Sequence, residues 1–437
     1  MKRTYIENVR NFVNEEVEIR GWLYNKRSSG SIKFLIVRDG TGFVQCVMSK
    51  SDVNPKIFEM DIPYESSIIV RGIVREDKRA PGGYEILLRD LEIVSTCENY
   101  PIPKVREDNI PDVDVLMPIR HLWIRGRKQW AILRIRSEVE QAIHEFFYNK
   151  GFIRTDAPIL TPNSVEGTTT LFEIDYFGKP AYLSQSGQLY VEATMMSFGK
   201  VYCFGPTFRA EKSKTRKHLT EFWMVEPEVA YATLEDIIDL AEEFVEYIVQ
   251  RVLERRMEEL KILERDIKEL ENVKRPFYRI TYEKAIEILK NKGFNIKYGD
   301  DFGADEERGI YEEFDKPVSI MFYPKEIKPF YMKIDYNDKS KVRNFDMLVK
   351  GVGEIIGGSQ REENLEVLIE RIKEENLPLD IYEWYLDIRR YGSVPHSGFG
   401  LGIERTVLWI TNANHIRETI PFPRLIDRIY PWKEFYL

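Results

Sequence analysis

Between residues 16 and 97 apolar and polar side chains alternate in short runs: Val17-Glu-Ile-Arg-Gly-Trp-Leu-Tyr24, Ile32-Lys-Phe-Leu-Ile-Val37, Phe43-Val-Gln-Cys-Val-Met48, Ser67-Ile-Ile-Val-Arg-Gly-Ile-Val74 and Tyr84-Glu-Ile-Leu-Leu88. A repeat of two marks a strand with one buried face. Asp39-Gly-Thr-Gly42 and Ala80-Pro-Gly-Gly83 supply tight turns, so the pattern predicts five strands, the content of a small OB-fold β-barrel. Pro101, Pro103, Pro111 and Pro118 then break any regular pattern. The expected division is a barrel domain over 1–100, a linker over 101–125 and a second domain over 126–437.

In the second domain the period changes. Ile132, Ile135, Val139, Ile143 and Phe146 fall at helical spacing, and Gly151 is placed to stop that helix. A longer helix is expected from about 234 to 265, with Thr233 and Asp236 spaced for a capping box and Ile237, Leu240, Phe244 and Ile248 on one stripe. Ala181-Tyr-Leu-Ser, Lys200-Val-Tyr-Cys-Phe, Phe222-Trp-Met-Val-Glu, Pro317-Val-Ser-Ile-Met and Gly353-Glu-Ile-Ile read as strands of a largely antiparallel sheet flanked by helices. The predicted class is α+β.

Composition narrows the function classes. With 437 residues, 43% apolar and 31% charged, the chain can fill more than one core. No apolar run approaches the roughly 20 residues of a membrane span, and no secretory signal opens the chain, so a cytoplasmic location without membrane contact is expected. Cys46, Cys97 and Cys203 are far apart and read as buried thiols, neither a disulfide framework nor a zinc site. A net charge of −8 argues against a protein that coats nucleic acid non-specifically, but leaves room for a local basic patch.

Two segments carry candidate chemistry. Phe208-Arg-Ala-Glu211 leads into the basic stretch Lys212-Ser-Lys-Thr-Arg-Lys-His218 and then Thr220-Glu-Phe-Trp223. A strand, a positive loop and a returning strand can close over a polyphosphate, though a solvated hairpin reads the same way. Gly398-Phe-Gly-Leu-Gly-Ile-Glu-Arg405 runs into the apolar Thr406-Val-Leu-Trp-Ile410. Its glycines permit close backbone approach and an Arg at a helix start can meet a phosphate, yet it fits neither the Walker nor the dinucleotide pattern.

Taken together and in this order, the two segments resemble motifs 2 and 3 of the class II aminoacyl-tRNA synthetases, and Gly151-Phe-Ile-Arg-Thr-Asp-Ala-Pro158 resembles motif 1. The barrel is similar to the anticodon-binding domain of the aspartyl, asparaginyl and lysyl branch. The resemblance implies a class II catalytic domain in which Arg209 holds the α-phosphate of ATP, Glu211 the adenine amino group, Phe222 the adenine face and Arg405 the γ-phosphate. Arg216 and His218 would steady the pyrophosphate. Glu354, helped by Asp346, would bind Mg2+ with ATP, a surface carboxylate being the other reading of Asp346. Pro158 would lie at a homodimer interface.

Within that branch, Gly353-Glu-Ile-Ile-Gly-Gly-Ser-Gln-Arg-Glu362 and Arg389-Arg-Tyr-Gly-Ser-Val-Pro-His-Ser-Gly398 are similar to the asparaginyl enzymes. The resemblance implies ligation of L-asparagine to tRNA(Asn) through an adenylate, with no acyl-enzyme. Asp and Asn differ in charge and hydrogen-bond polarity, not shape, so those properties must separate them. Arg361 could donate to the side-chain carbonyl oxygen of either. Where aspartyl enzymes continue Ser184-Gln-Ser-Gly-Gln-Leu-Tyr190 with a Lys, Val191 stands here, and Glu226 could accept from an amide while repelling a carboxylate, a plain structural carboxylate being its other reading. Glu166 would meet the substrate ammonium, in a loop reading Glu-Gly-Thr where the family has Glu-Gly-Gly, with Ser186 and Gln188 as further contacts. In the barrel, Phe34 would stack on the middle anticodon base and Gln45 read its edge, among the positive Arg20, Lys26, Arg27 and Lys33, unless Phe34 is a core residue. The rival readings are an aspartyl-tRNA synthetase that charges one or both tRNAs, a non-catalytic tRNA-binding descendant and an ammonia-dependent asparagine synthetase.

Overall fold

The structure, a computed structural model, describes residues 1–103, 112–166, 170–212 and 215–429. Pro111 of the expected linker, Gly167 and Thr168 of the Glu-Gly-Thr loop, and Ser213 and Lys214 of the basic stretch lie outside the described residues. The chain separates into two compact units, Met1–Leu116 and Met117–Leu437. No helix among the described residues is long and apolar enough to cross a membrane.

In the first unit the alternating runs form β1 (Glu16–Ser29), β2 (Ile32–Arg38), β3 (Phe43–Ser49), β4 (Ser67–Glu76) and β5 (Tyr84–Ser95). Strand β1 pairs with β2 along one end and with β4 along the other, which closes the order β1-β2-β3-β5-β4 into a barrel. Val17, Ile19, Leu35, Val37, Cys46 and Val70 alternate into its core. Closure brings backbones together: a Cβ on Gly21 would collide with the Arg38 carbonyl, so only glycine fits there.

The second unit is built on an eight-stranded sheet. Its strands are β6 (Ile153–Arg154), β7 (Lys200–Phe208), β8 (Glu221–Ala230), β9 (Tyr278–Thr281), β10 (Val318–Met321), β11 (Asn344–Val349), β12 (Gly353–Gln360) and β13 (His396–Gly402). The order is β9-β10-β11-β12-β13-β8-β7-β6, antiparallel apart from the outer pairs β9–β10 and β6–β7. One face buries Phe345, Ile356, Phe399, Leu401 and Val225 against helices α1 (Arg127–Asn149) and α3 (Leu234–Arg255). The predicted capping box of α3 is present, with the Thr233 hydroxyl accepting from Asp236 N–H and the Asp236 carboxylate accepting in return.

Three expectations need correction. The single helix predicted to residue 265 ends at Arg255, and a separate helix follows over Met257–Ile262. Arg256 leaves the helical region (φ −126°, ψ 28°), and its guanidinium pairs with Glu138 at 2.6 Å. The turn lets Leu260 pack into the same core as α3, which outweighs continuing the helix. The run from Ala181 is a strand of a separate three-stranded sheet, paired with Glu173–Tyr176 and Leu160–Thr161, not of the main one. Cys46 and Cys203 are buried thiols, but Cys97 is only half-buried.

Candidate active site

The open face of the eight-stranded sheet is the floor of a cavity of about 830 Å3. The strand repeat of two makes that floor bare. Along β13, Phe399 and Leu401 point into the core, so Gly400 and Gly402 face the cavity, and across the strand Gly400 pairs with Gly357 of β12. A large side chain at these positions would occupy the space a ligand needs. On β8 the same repeat sends Phe222, Met224 and Glu226 into the cavity.

Between the two ends of the cavity Arg209 follows β7, its main-chain N–H bonded to the Thr220 carbonyl at 3.0 Å and its guanidinium 4.0 Å from the Glu166 carboxylate. Its guanidinium lies 5.3 Å from the centre of the Phe222 ring, and its buried Nε has no hydrogen-bond partner among the described residues. Arg405 reaches the same cavity from helix α4 (Ile403–Thr411). The preceding residue, Glu404, fixes that helix: its buried carboxylate accepts from Arg136 of α1 at 2.8 Å and from the Trp223 N–H of β8 at 2.9 Å. Arg405 Nη1 donates to the Glu354 carbonyl at 2.9 Å and sits 3.6 Å from the Glu354 carboxylate, and Nη2 lies 3.4 Å from His218 Nε2. Burial, reinforced by Arg405, pushes His218 below its ordinary range, so its neutral ring can accept from the guanidinium.

Glu354 and Asp346 converge over Gly357, where a Cβ would come within 3.0 Å of Glu354 Oε1 and 3.6 Å of Asp346 Oδ1. Asp346 is buried, which excludes the surface reading, and Lys328 Nζ donates to its Oδ2 at 2.6 Å. Burial raises its carboxyl to about 6 against the pull of Lys328. No group of three or more ligating side chains among the described residues is set to hold a metal ion by itself. Two hard carboxylates lining the cavity fit magnesium, whose remaining ligands would have to come from outside the protein.

At the other end lie Glu166, Ser186, Gln188, Glu226 and Arg361. Arg361 is buried, with Nε and Nη2 forked onto Glu228 and Nη1 donating to Ser359 at 2.8 Å. That leaves one N–H on each terminal nitrogen for a substrate. Glu226 accepts from the Ser186 hydroxyl, from the Gly187 N–H at 2.8 Å and from the Cys203 thiol at 3.4 Å, which leaves room for one more donor. Burial pushes its carboxyl up while these bonds pull it down. The Tyr331 hydroxyl donates to Glu166 at 3.2 Å, and the buried Gln185 accepts the main-chain N–H groups of Val165 and Glu166 at 3.0 and 3.1 Å. Val191 sits behind this wall on helix α2 (Gln188–Phe198), packed with Met195, Val201 and Cys203.

On the barrel, Phe34 is half-buried and outside the apolar core, which removes the core reading. The Arg27 guanidinium lies 4.3 Å from its ring centre and donates to Gln45 Oε1 at 3.4 Å, while Gln45 Nε2 donates to Glu85 at 3.0 Å. The other expected cations are differently placed. Lys26 is tied to Asp61 and the Ile62 carbonyl, Lys33 to the Phe58 carbonyl, and Arg20 to Glu18 at 2.8 Å.

The structure thus brings Arg209, Glu211, His218, Phe222, Glu354, Asp346 and Arg405 into one cavity with the five residues of the far end. It does not bring in Arg216, which is exposed outside the lining; its neighbour Lys217 lines the cavity instead. Residues 215–217 form a bend and turn that leaves Arg216 exposed while Lys217 and His218 both line the cavity, a placement that sequence alone did not give. Glu228, Tyr331 and Gln185 were also missed. Glu228 was findable, since the strand repeat puts it on the same face as Glu226. Pro158 is exposed, beside exposed Ile159 and Leu160 and near the edge strand β6.

Known proteins match this arrangement. Residues 17–94 fit the OB-fold nucleic acid binding domain and residues 112–426 the class II tRNA synthetases (D, K and N). An asparagine–tRNA ligase of Desulforamulus reducens is 56% identical across 99% of this chain and 100% of its own, and one of Thermus thermophilus is 53% identical across 98% and 100%. The crystal structure of asparaginyl-tRNA synthetase from Pyrococcus horikoshii complexed with asparaginyl-adenylate superposes with a TM-score of 0.93 at 47% identity, covering 98% of this chain and 99% of that one. An aspartyl tRNA synthetase from Entamoeba histolytica gives 0.83 at 28% identity, covering 98% and 93%. The chain therefore belongs to the class II tRNA synthetases (D, K and N), and within them to the asparagine–tRNA ligase family.

Proposed function

We propose that the chain joins L-asparagine to tRNA(Asn) in the cytoplasm, using ATP and passing through asparaginyl-adenylate. The observation that carries this reading is the single cavity that holds Arg405 at one end, a forked Arg361 beside Glu226 at the other and Arg209 between them. ATP lies over the glycine floor with its adenine on Phe222 and its amino group toward Glu211. Asparagine lies at the far end, its ammonium toward Glu166 and Gln188, its side-chain carbonyl toward Arg361 and its amide NH2 toward Glu226, with Ser186 holding Glu226 in place.

The chemistry needs position and charge rather than a protein nucleophile. A carboxylate oxygen of asparagine forms a bond to the α-phosphorus while the bond from that phosphorus to the bridging oxygen breaks and pyrophosphate leaves. Arg209 Nε, which has no hydrogen-bond partner among the described residues, and the fork around it meet the charge on the α-phosphate. Arg405, His218 and Lys217 receive the departing pyrophosphate. Glu354 and Asp346 would hold Mg2+, which neutralises phosphate charge when bound. The acyl group then passes to the 3′-terminal ribose of the tRNA. Because Asp and Asn are nearly isosteric, selection rests on Glu226, which accepts from an amide and repels a carboxylate.

The barrel reads the anticodon through Phe34, with Gln45 oriented by Arg27 and Glu85 to present its amide to a base edge. Phe34→Ala is expected to cost about 1–3 kcal/mol of tRNA binding, read as a raised KM for tRNA, while asparagine-dependent pyrophosphate exchange stays at its normal rate. Exposed Pro158, Ile153, Ile159 and Leu160 form an apolar edge suited to a homodimer interface. Aminoacylation of separate asparagine and aspartate tRNAs with each labelled amino acid tests the reading. Only the pairing of asparagine with tRNA(Asn) should give product; charging with aspartate would establish the aspartyl alternative.

A further inference from the structure

Behind the amino-acid end of the cavity lies a second, fully buried charge cluster centred on Glu192 of α2. Its carboxylate accepts from Arg389 Nη2 at 2.8 Å, His396 Nε2 at 3.0 Å, the Tyr385 hydroxyl at 2.8 Å and Gln188 Nε2 at 3.1 Å. Burial alone would push this carboxyl up, and Arg389 with His396 more than reverses it, holding it well below the usual carboxylate range. Two features link the cluster to substrate choice. Gln188 lines the cavity, and one N–H of its amide donates to Glu192, which fixes the orientation of the amide and directs its nitrogen toward that carboxylate. Arg389 is buried and its Nη1 has no partner among the described residues, so its charge is balanced almost entirely by Glu192. A neighbouring pair repeats the arrangement, since Glu228 balances Arg361. The wall of the pocket thus holds two buried guanidiniums, each facing a buried carboxylate.

We propose that Glu192 is a positioning residue for amino-acid selection, which cancels the Arg389 charge behind the pocket and fixes the orientation of the Gln188 amide. A neutral side chain then enters without penalty, whereas a substrate carboxylate finds no uncompensated cation. The inference rests on the proposed asparagine specificity and adds a residue that does not touch the substrate.

The test is ATP–pyrophosphate exchange with asparagine and with aspartate, measured on the full chain for wild type, Glu192→Gln, Arg389→Gln and the double variant. Removing the carboxylate leaves a buried guanidinium near the pocket, so Glu192→Gln is expected to lower the asparagine-to-aspartate ratio of kcat/KM by about tenfold. The change should fall mainly on KM. The double variant removes both charges and should recover most of the ratio. A ratio unchanged in Glu192→Gln, or no recovery in the double variant, overturns the proposal. Should Glu192→Gln fail to fold, Arg389→Gln decides by the opposite sign: it must reject aspartate at least as firmly as wild type, and relaxed selectivity would refute charge balance. A wild type that exchanges with aspartate as readily as with asparagine refutes instead the specificity on which the inference rests.

Discussion

Arg209→Ala is expected to reduce asparagine-dependent pyrophosphate exchange by about a hundred- to a thousandfold, the scale of losing one preorganised donor to a developing charge. The side chain is partly exposed, its Nε has no hydrogen-bond partner among the described residues and the Glu166 carboxylate is 4.0 Å away. It therefore contributes little to folding, and the thermal unfolding midpoint should barely move. The loss should fall on kcat for the exchange reaction more than on KM for asparagine, because the charge that the arginine meets develops on the α-phosphate during the reaction. A variant that exchanges at the normal rate would remove the α-phosphate role from Arg209.

Arg361→Ala is expected to act on stability and specificity at once. The guanidinium is buried and forked onto the buried Glu228, so truncation leaves a carboxylate without its cation. Breaking such a pair by removing one member costs about 3–5 kcal/mol, readable as a lower denaturant midpoint. Burial already pushes the Glu228 carboxyl up, and without Arg361 it will take up a proton more readily, so the variant should regain part of its stability as pH falls. Exchange with asparagine should be lost as well, since the donor to the side-chain carbonyl is gone. Arg361→Lys keeps the charge but not the fork, and is expected to restore folding better than activity.

How far the sequence disclosed this molecule depends on whether an arrangement is local. The barrel strands were legible because one face is wet and the other dry, which writes a repeat of two into the chain. Gly398, Gly400 and Gly402 were read as allowing close backbone approach, and the structure adds the reason: Phe399 and Leu401 take the core face and leave Gly400 and Gly402 as a bare floor, while Gly398 gives room to Glu228. Long-range pairings were not legible. Arg361 and Glu228 lie 133 residues apart and Arg389 and Glu192 lie 197 apart, and nothing in the spacing of either pair announces the other member. Arg389 and His396 stood inside a stretch that carried the family resemblance, yet their contact with Glu192 emerges only when the helix Glu383–Arg390 and β13 are brought against α2. The break at Arg256 was hidden for a related reason. Helical periodicity continues past it, and the chain turns to satisfy a tertiary core and the Glu138 carboxylate.

The most direct measurement is a crystal structure of the protein with asparagine and a non-hydrolysable ATP analogue. The account predicts one continuous ligand envelope, with the α-phosphate against Arg209, the terminal phosphate against Arg405, adenine on Phe222 and the asparagine amide between Arg361 and Glu226. Nucleotide bound away from either arginine, or asparagine out of reach of Arg361 and Glu226, would contradict it.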